Sequence, residues 1–451
     1  MRGLAKKIRR MPSMILIRHN LSRLALPSGF ETRFFSRRRG VAALALILAV
    51  LGGTPAAVQA TTLPQAVLVA SERDPGITAM RQQVARRSVD IEAARDQRYP
   101  QFSISADTNT TDANGAGVTL TVSQVLYDWG RVRNLIASTS QERVKSVSEL
   151  KMGIEQLTLE VSNFYLDIEV LDRKIARTRD YLGFAQRIAG HAAARAQGGL
   201  GDSGEVARAE LEIARTEERL DQLTSERGLA LSQLAFLMGR APGSIAKPPE
   251  LGFAGRYAKA DAVEAAVRLS PDFIAANAEL GVAEAGIALA RAERLPVIRL
   301  QAQGRADLDG GRSRTAVGLA AGVDLNAGSF SGRQIQSAQL EADAARSNME
   351  AIRRNLANGA QSAVERVRVL RASEASQSRQ LAQAQQVLDS YEEQFVGGQR
   401  ELIDLLTTGR DLYDAQIDSI ATYDARKRTE YQAAHDLGVL GTLILANSAG
   451  G

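Results

Sequence analysis

The chain has 451 residues, 45% of them hydrophobic and 24% charged, which is enough material for two or three folded domains. Cysteine is absent and histidine occurs three times, at His19, His191 and His435. Together these counts exclude disulfides, thiolate metal sites, a cysteine nucleophile, a lipid-modified N-terminal cysteine and a histidine-rich metal cluster. The net charge of +5 belongs to the first sixty residues, where eleven Lys/Arg face Glu31 alone; the remainder holds 45 bases and 50 acids. The pI of 9.5 therefore gives no support to a nucleic-acid partner. Aromatic residues are only 5%, with one tryptophan, a composition that points to long helices rich in Ala, Gln and Arg.

Residues 1–60 read as an export leader. Arg37-Arg38-Arg39 precedes an apolar run from Val41 to Leu51, Gly52, Gly53 and Pro55 break it, and Val58-Gln59-Ala60 supplies small residues for cleavage. The run is too short to span a bilayer, which takes about 20 residues; a retained anchor is the alternative. No later apolar stretch reads as a transmembrane helix.

Beyond the leader the chain is duplicated. Ala66-Val67 stands before Pro75 as Ala262-Val263 stands before Pro271, and Tyr99-Pro100 matches Leu295-Pro296 at the same offset. Trp129-Gly130-Arg131 matches Ser331-Gly332-Arg333, and Gly199 and Glu205 match Gly398 and Asp404. Four anchors in one order mark two copies of one unit, residues 61–241 and 261–445, joined by a linker at 242–260 and followed by a short tail at 446–451. No proline occurs from 101 to 241 or from 297 to 451. Each repeat therefore opens with a proline-bounded helix and continues into a long tract that tolerates uninterrupted helix.

Within the first tract, Val147, Leu150, Ile154, Leu157, Val161, Phe164, Ile168, Leu171 and Ile175 recur with a 3.5-residue period, the pattern of helices wound around neighbours. The expected helix runs from Gly130 to Ala196, about 100 Å long. After the Gly198–Gly204 turn, Val206, Ala209, Ile213, Leu220, Leu223, Ala230, Leu234 and Leu237 continue the period to about residue 239. The second repeat predicts the same hairpin from Gly332 to Phe395 and from Leu402 to about Leu440, with Leu381, Ala384, Leu388, Tyr391 and Phe395 on its seam.

Between the prolines and the long helices the period changes to two. Phe102, Ile104 and Ala106 alternate with Ser103, Ser105 and Asp107, and Val118, Leu120 and Val122 alternate with Thr119, Thr121 and Ser123. Ile298, Leu300 and Ala302, then Val317, Leu319, Ala321 and Val323, repeat the pattern, with Asn114-Gly115 and Gly310-Gly311 in the turns. These segments predict β-hairpins at 101–126 and 297–325, four strands of the length that crosses a membrane. In lipid an open sheet edge leaves backbone groups unpaired, and membrane barrels start at about eight strands, so several copies must pool strands.

At this point the chain resembles the TolC-like outer-membrane efflux and secretion channel family, over residues 63 to about 445. The resemblance rests on the duplicated strand and helical hairpins, the two proline-bounded strand starts and Tyr127-Asp128-Trp129-Gly130-Arg131. The most specific segment is Phe395-Val396-Gly397-Gly398-Gln399-Arg400-Glu401-Leu402-Ile403-Asp404-Leu405-Leu406, followed by Leu412-Tyr413-Asp414-Ala415-Gln416. It implies an α+β membrane protein: a homotrimer whose twelve-stranded β-barrel, four strands per chain, is continued by a long periplasmic α-helical coiled-coil barrel. It implies no enzyme and no cofactor. The implied partners are a periplasmic adaptor (membrane fusion protein), an inner-membrane ABC or RND transporter and outer-membrane lipid, and no nucleic acid. The implied function is the exit duct of a tripartite export machine, with type I protein secretion favoured by the missing N-terminal cysteine and small-molecule efflux as the alternative. A periplasmic coiled-coil scaffold or adaptor is the reading of a different class, although an adaptor normally has one hairpin rather than a duplication.

The resemblance also implies where a gate lies. The basic gate residue falls on Arg400, an acidic ring on Asp404, and the partner acid of the other hairpin on Glu205. The family's tip tyrosine is Phe395 in this chain, and a second acidic position is Thr407. Gly198, Gly199, Leu200, Gly397 and Gly398 fall on the tips around which the adaptor docks. His191 and His435 stand alone, and no lysine follows the glycine-rich turns at P-loop spacing.

Overall fold

The computed structural model describes residues 60–108, 116–199, 201–308, 313–323 and 332–448. The leader before residue 60, the hairpin turns at Asn114-Gly115 and Gly310-Gly311, Ser331 and Leu200 lie outside the described residues. The same series of elements occurs twice. The first is α1 (Leu63–Arg73), α2 (Pro75–Asp96), β1 (Gln101–Thr108), β2 (Ala116–Tyr127), α3 (Arg131–Gln197) and α4 (Ser203–Met238). After the short helix α5 (Phe253–Arg256) come α6 (Ala260–Leu269), α7 (Pro271–Glu293), β3 (Val297–Asp307), β4 (Arg314–Gly322), α8 (Arg333–Val396) and α9 (Leu402–Asp436). A last helix, α10, spans Leu440–Ser448.

Each repeat opens with two helices rather than the single proline-bounded one expected. Pro75 and Pro271 sit at the first helical position, where the missing N–H costs nothing, and the preceding Asp74 and Ser270 cap the new helix. The backbone N–H of Ile77 donates to Asp74 Oδ1 (2.7 Å) and that of Phe273 to Ser270 Oγ (3.2 Å). Helix α7 is long and apolar enough to cross a membrane by length and composition, contrary to expectation. Its apolarity is largely alanine, and it packs between α3 and α8 through Ala276, Ala278, Ala283 and Ala290. Small side chains there let three helices approach closely.

The four strands form one antiparallel sheet in the order β1-β2-β3-β4. Its register puts Phe102 opposite Val122, Ile104 opposite Leu120, Val122 opposite Ala302 and Leu300 opposite Leu319. One face is thus continuously apolar, and it is bare: Phe102, Ile104, Val317 and Leu319 are each more than 70% exposed. The opposite face carries Ser103, Ser105, Thr121, Gln301, Gln303 and Arg305. Arg305 reaches across β2 to Asp107 (2.8 Å) and also binds Asp307 (3.0 Å). It passes over Gly117, where a Cβ would lie 2.8 Å from the guanidinium and would make the arginine shift.

From the sheet the long helices α3, of 67 residues, and α8, of 64, run about 100 Å. One apolar core, midway along, gathers Leu63, Tyr165, Leu166, Leu234, Phe253, Val267, Tyr431 and Leu440 from both repeats; a second, toward the far end, holds Tyr181, Phe184, Ile188, Leu388, Phe395 and Leu405. The 242–260 segment is not a loose tether. Lys427, fully buried, donates to the carbonyls of Pro248 (3.3 Å) and Pro249 (3.1 Å), and Tyr431 also donates to Pro249 O (2.8 Å). Burial pulls the Lys427 ammonium below its ordinary pKa, against Glu250, which pulls the other way. Burial pushes Glu250 up in turn, but Arg426 and Lys427 outweigh it and hold that carboxyl below the usual range. Thr61 joins the same belt through Thr61 N–H to Ser244 O (2.8 Å) and Tyr165 Oη to Thr61 O (3.0 Å).

Helix α9 stops at Asp436, short of the expected Leu440, because Gly438 takes φ +67 and turns the chain into α10. Residues 446–448, expected in the tail, accordingly belong to α10, whose Leu440, Leu443 and Ile444 are buried. Gly438 also lies against the Pro271 ring, which a Cβ would strike. Gly438→Val therefore combines a forbidden backbone angle with a collision. It is expected to cost about 1–3 kcal/mol and to lower the thermal midpoint followed by far-UV circular dichroism, whereas Gln383→Ala, at an exposed position of α8, should leave it nearly unchanged.

Candidate functional site at the tips of the helical hairpins

The two hairpin tips are built alike. Gly198 N–H closes on Ala194 O (3.1 Å) and Gly199 takes φ +72; Gly397 N–H closes on Glu393 O (3.0 Å) and Gly398 takes φ +74. Left-handed glycine after a helix is the usual way to satisfy its last carbonyls and reverse the chain. All four glycines are exposed. Asp202 then caps α4 by accepting from Glu205 N–H (2.8 Å).

The expected gate residues divide into two groups. Phe395 is fully buried, with its ring 4.8 Å from the Arg195 guanidinium and its carbonyl accepting from Arg195 Nη1 (2.7 Å). Asp404 and Thr407 are exposed on the first two turns of α9. Arg400 does not meet Glu205 within the chain. In the turn after Gly398, Arg400 lies 3.5 Å from the Tyr391 ring centroid and donates to Gln394 Oε1 (3.0 Å), both on α8, and pairs with Asp404 of α9 (3.5 Å). Glu205 Oε2 is buried and, among the described residues, has no hydrogen-bond partner. A buried carboxylate oxygen in that state calls for a donor.

Four residues that sequence reasoning missed, Arg195, Tyr181, Glu212 and Arg410, tie the hairpins together. Arg195 joins α3 to α8 as above. Further from the tips, Glu212 of α4 is 8% exposed at its side chain and takes Tyr181 Oη of α3 (2.8 Å) together with the Arg410 guanidinium of α9. Tyr181 stacks on Tyr413 (4.9 Å) and Tyr413 Oη meets Thr178 Oγ1 (3.0 Å). Burial, then Glu212, raises the Tyr181 phenol well above its ordinary pKa, so it donates at any physiological pH. The hydrogen bond to Glu212 likewise raises Arg410. Next to Arg410, Gly409 lets the Phe184 ring approach α9 closely, where a Cβ would collide with it. The α4 seam thus has the expected period, but Glu212 and Thr216 are buried on it where Ile213 and Leu220 were expected. An acid and a threonine at seam spacing were the available signal.

The arrangement consists of contacts between helices, and among the described residues no group of three or more His, Cys, Asp or Glu could hold a metal ion. Its grip lies in the buried Glu212 group, since removing one partner of a buried carboxylate costs about 1–3 kcal/mol, whereas an exposed pair such as Arg400–Asp404 contributes about 0.2–1 kcal/mol. Arg410→Met is therefore expected to weaken the contact between α4 and α9 and to speed amide exchange in residues 402–416 by about tenfold, read by hydrogen–deuterium mass spectrometry. Arg346→Met, on an exposed pair, should leave exchange there unchanged.

Comparison with known proteins places this geometry. The family model described as outer membrane efflux protein matches residues 67–240 and 262–434, one match per repeat. The outer membrane efflux protein BepC of Brucella suis is 23% identical over 429 residues, covering 92% of this chain and 91% of its own. Among solved structures, the outer membrane protein VceC of Vibrio cholerae superposes with a TM-score of 0.69 at 18% identity, over 83% of this chain and 96% of its own. The open state of the MtrE outer membrane channel of Neisseria gonorrhoeae gives 0.68 at 18% identity, over 84% and 89%.

Proposed function

We propose, from the premise that the chain belongs to the outer membrane efflux protein family, that three copies form one continuous exit duct fed by an inner-membrane pump through a periplasmic adaptor. The protein is an outer-membrane channel component and not an enzyme. The observation that carries the duct reading is the sheet: one bare apolar face, one polar face, and two edges, β1 and β4, with no strand partner among the described residues. An apolar face of that extent suits hydrocarbon and a polar one suits a water-filled lumen. Tyr99, Tyr127 and Trp129, all exposed, gather at the end of the sheet that meets the helices, where an aromatic belt would sit at the membrane surface. Two copies would close about eight strands, whose interior side chains fill; three is the smallest number that leaves a passage.

In this reading the helices below the sheet line a periplasmic tunnel, and its tips are the gate. Glu205 Oε2 receives a donor from the neighbouring copy, and Arg400 is the cation of the tip segment that the family resemblance assigns to that role. Asp404, repeated three times, makes a ring of carboxylates that favours cations, weakened by Thr407. The exposed tips Gly198, Gly199, Gly397 and Gly398 dock the adaptor, and Leu200 lies in the same turn.

The cargo reading is type I protein secretion, supported by the absence of the cysteine that lipid-anchored drug-efflux versions carry. Small-molecule efflux is the second reading, favoured by the word efflux in the names of the family and of BepC. Deleting the gene separates them: loss of a secreted polypeptide supports the first, and increased drug sensitivity with an unchanged secreted set supports the second. For the gate, Arg400→Ser should raise single-channel conductance in planar bilayers severalfold; conductance equal to that of the unmodified protein would remove Arg400 from the latch.

A further inference from the structure

Each long hairpin ends beside the proline that opens the second helix of its repeat. Helix α9 gives way to Gly438 (φ +67), which lies against the Pro271 ring at the start of α7. Helix α4 gives way to Gly239 (φ +68), which lies under the guanidinium of Arg73, two residues before Pro75. The two joints are built alike, but their charges differ. Arg73 is a cation at every physiological pH, and the last turn of α4 has no base of its own. The last turn of α9 carries His435. Matching Gly239 to Gly438 puts Phe236 where the second joint has His435. Matching Pro75 to Pro271 puts Gly76 where it has Asp272, and Arg73 where it has Leu269. The second joint thus has a titratable cation in place of a fixed one, and an acid in place of a glycine.

Three helix ends meet there. Asp272 lies in the first turn of α7, and Glu155 of α3 accepts the N–H of Gly441 (3.2 Å) in the first turn of α10. Carboxylates suit these two ends, and a protonated imidazole suits the carbonyl end of α9. His435 Nδ1 lies 3.0 Å from Asp436 Oδ1, which also accepts from Gln432 Nε2 (2.7 Å). A carboxylate oxygen only accepts, so Nδ1 donates and Nε2 is left to take a second proton. Burial raises the Glu155 carboxyl above its ordinary pKa, against the Gly441 N–H, Lys151 and His435, which pull it down. Burial raises Asp272 as well, again against His435.

The joint borders a recess of about 1220 Å³ between α2, α3, α7, α8 and α9, through which solvent protons reach it. Four carboxylates face the recess: Glu149 and Glu155 of α3, Asp272 of α7 and Asp436 of α9. Arg428 of α9 is already paired with Asp167 (2.5 Å) and Asp424 (2.8 Å). The other cations nearby are Arg366 of α8, on the recess wall, and Lys151 of α3. Helix α2 brings only Met80 and Gln83, and α10 has no charged residue. With the imidazole neutral, negative charge is in excess at three packed helix ends.

We propose that the α9–α7 joint is an acid-tightened lock: protonated His435, drawn among Asp436, Asp272 and Glu155, fixes the end of α9 against α7 and α10, and loss of that proton loosens it. Glu155 and Asp272 bind protons more firmly in the closed joint than in water, and carboxylates attract a charge on His435 only while the joint is closed. Both effects favour closure as pH falls through the range in which imidazole titrates, about 5 to 8, and weaken it as pH rises. Helix α9 begins at the tip, with Asp404 in its first turn, and ends at this joint. The lock therefore sets how freely that helix can shift, while α4 ends at a joint whose cation is permanent. All of these groups belong to one chain, so the lock is independent of the number of copies proposed above.

Hydrogen–deuterium exchange of the full protein in detergent, at about pH 8 and about pH 6 and normalised for the intrinsic pH dependence of amide exchange, reads both joints at once. Protection in residues 437–446 should rise about fivefold or more on acidification, and protection in residues 236–241 less than about twofold. His435→Gln should bring the first figure below about twofold. His435→Arg, which copies the fixed charge of Arg73, should keep residues 437–446 at the acid level at both pH values. No rise in the unmodified protein, an equal rise at both joints, or a rise that His435→Gln leaves in place overturns the lock.

Discussion

Two sheet edges without partners set the terms for this molecule. A strand in hydrocarbon must have both sides of its backbone paired, and four strands in the order β1-β2-β3-β4 leave two sides open. No rearrangement of one chain mends this, because four strands are too few to close. The same condition explains features far from the sheet. A long helix that buries six of its sixty-four residues, and a second helix of the first repeat that buries two of twenty-two, leave further surface that a neighbouring copy would cover.

Below the sheet, stability and movement are assigned to different levels. The middle of the helical body is fixed by a large apolar core and by the belt segment that Lys427, Arg426 and Tyr431 hold in place. Toward the tips the core is smaller and its seam is interrupted by Glu212, Thr216 and Tyr181. At the tips themselves Arg195 holds the buried Phe395, and the remaining contacts include an exposed ion pair, a cation over an aromatic ring and one carboxylate oxygen with no partner among the described residues. The interactions thus weaken stepwise along the helices, and a partner that grips the tips can move them without disturbing the middle.

Most of this architecture is legible in the sequence because periodicity survives without knowledge of long-range contacts. Alternation identifies the strands, a 3.5-residue seam identifies the long helices, and repeated prolines and glycines align the copies. The features that stay hidden depend on which parts meet. Arg131 is one exposed-looking base among many until α7 is placed beside it; Arg195 becomes a strap only when Phe395 lies over it. Glu212 reads as a solvated helix residue until Tyr181 and Arg410 arrive from two other helices. The Arg400–Glu205 pair fails within the chain for the same reason. Spacing locates both residues at the tips, but the local turn commits Arg400 to Tyr391, Gln394 and Asp404.

The claim that everything else rests on is that one chain is an incomplete wall. Native mass spectrometry of the protein released from detergent micelles measures this most directly. A mass of three chains, with no population of single chains at the lowest activation energy that strips the micelle, is the predicted result. A single-chain mass under those conditions would contradict the account.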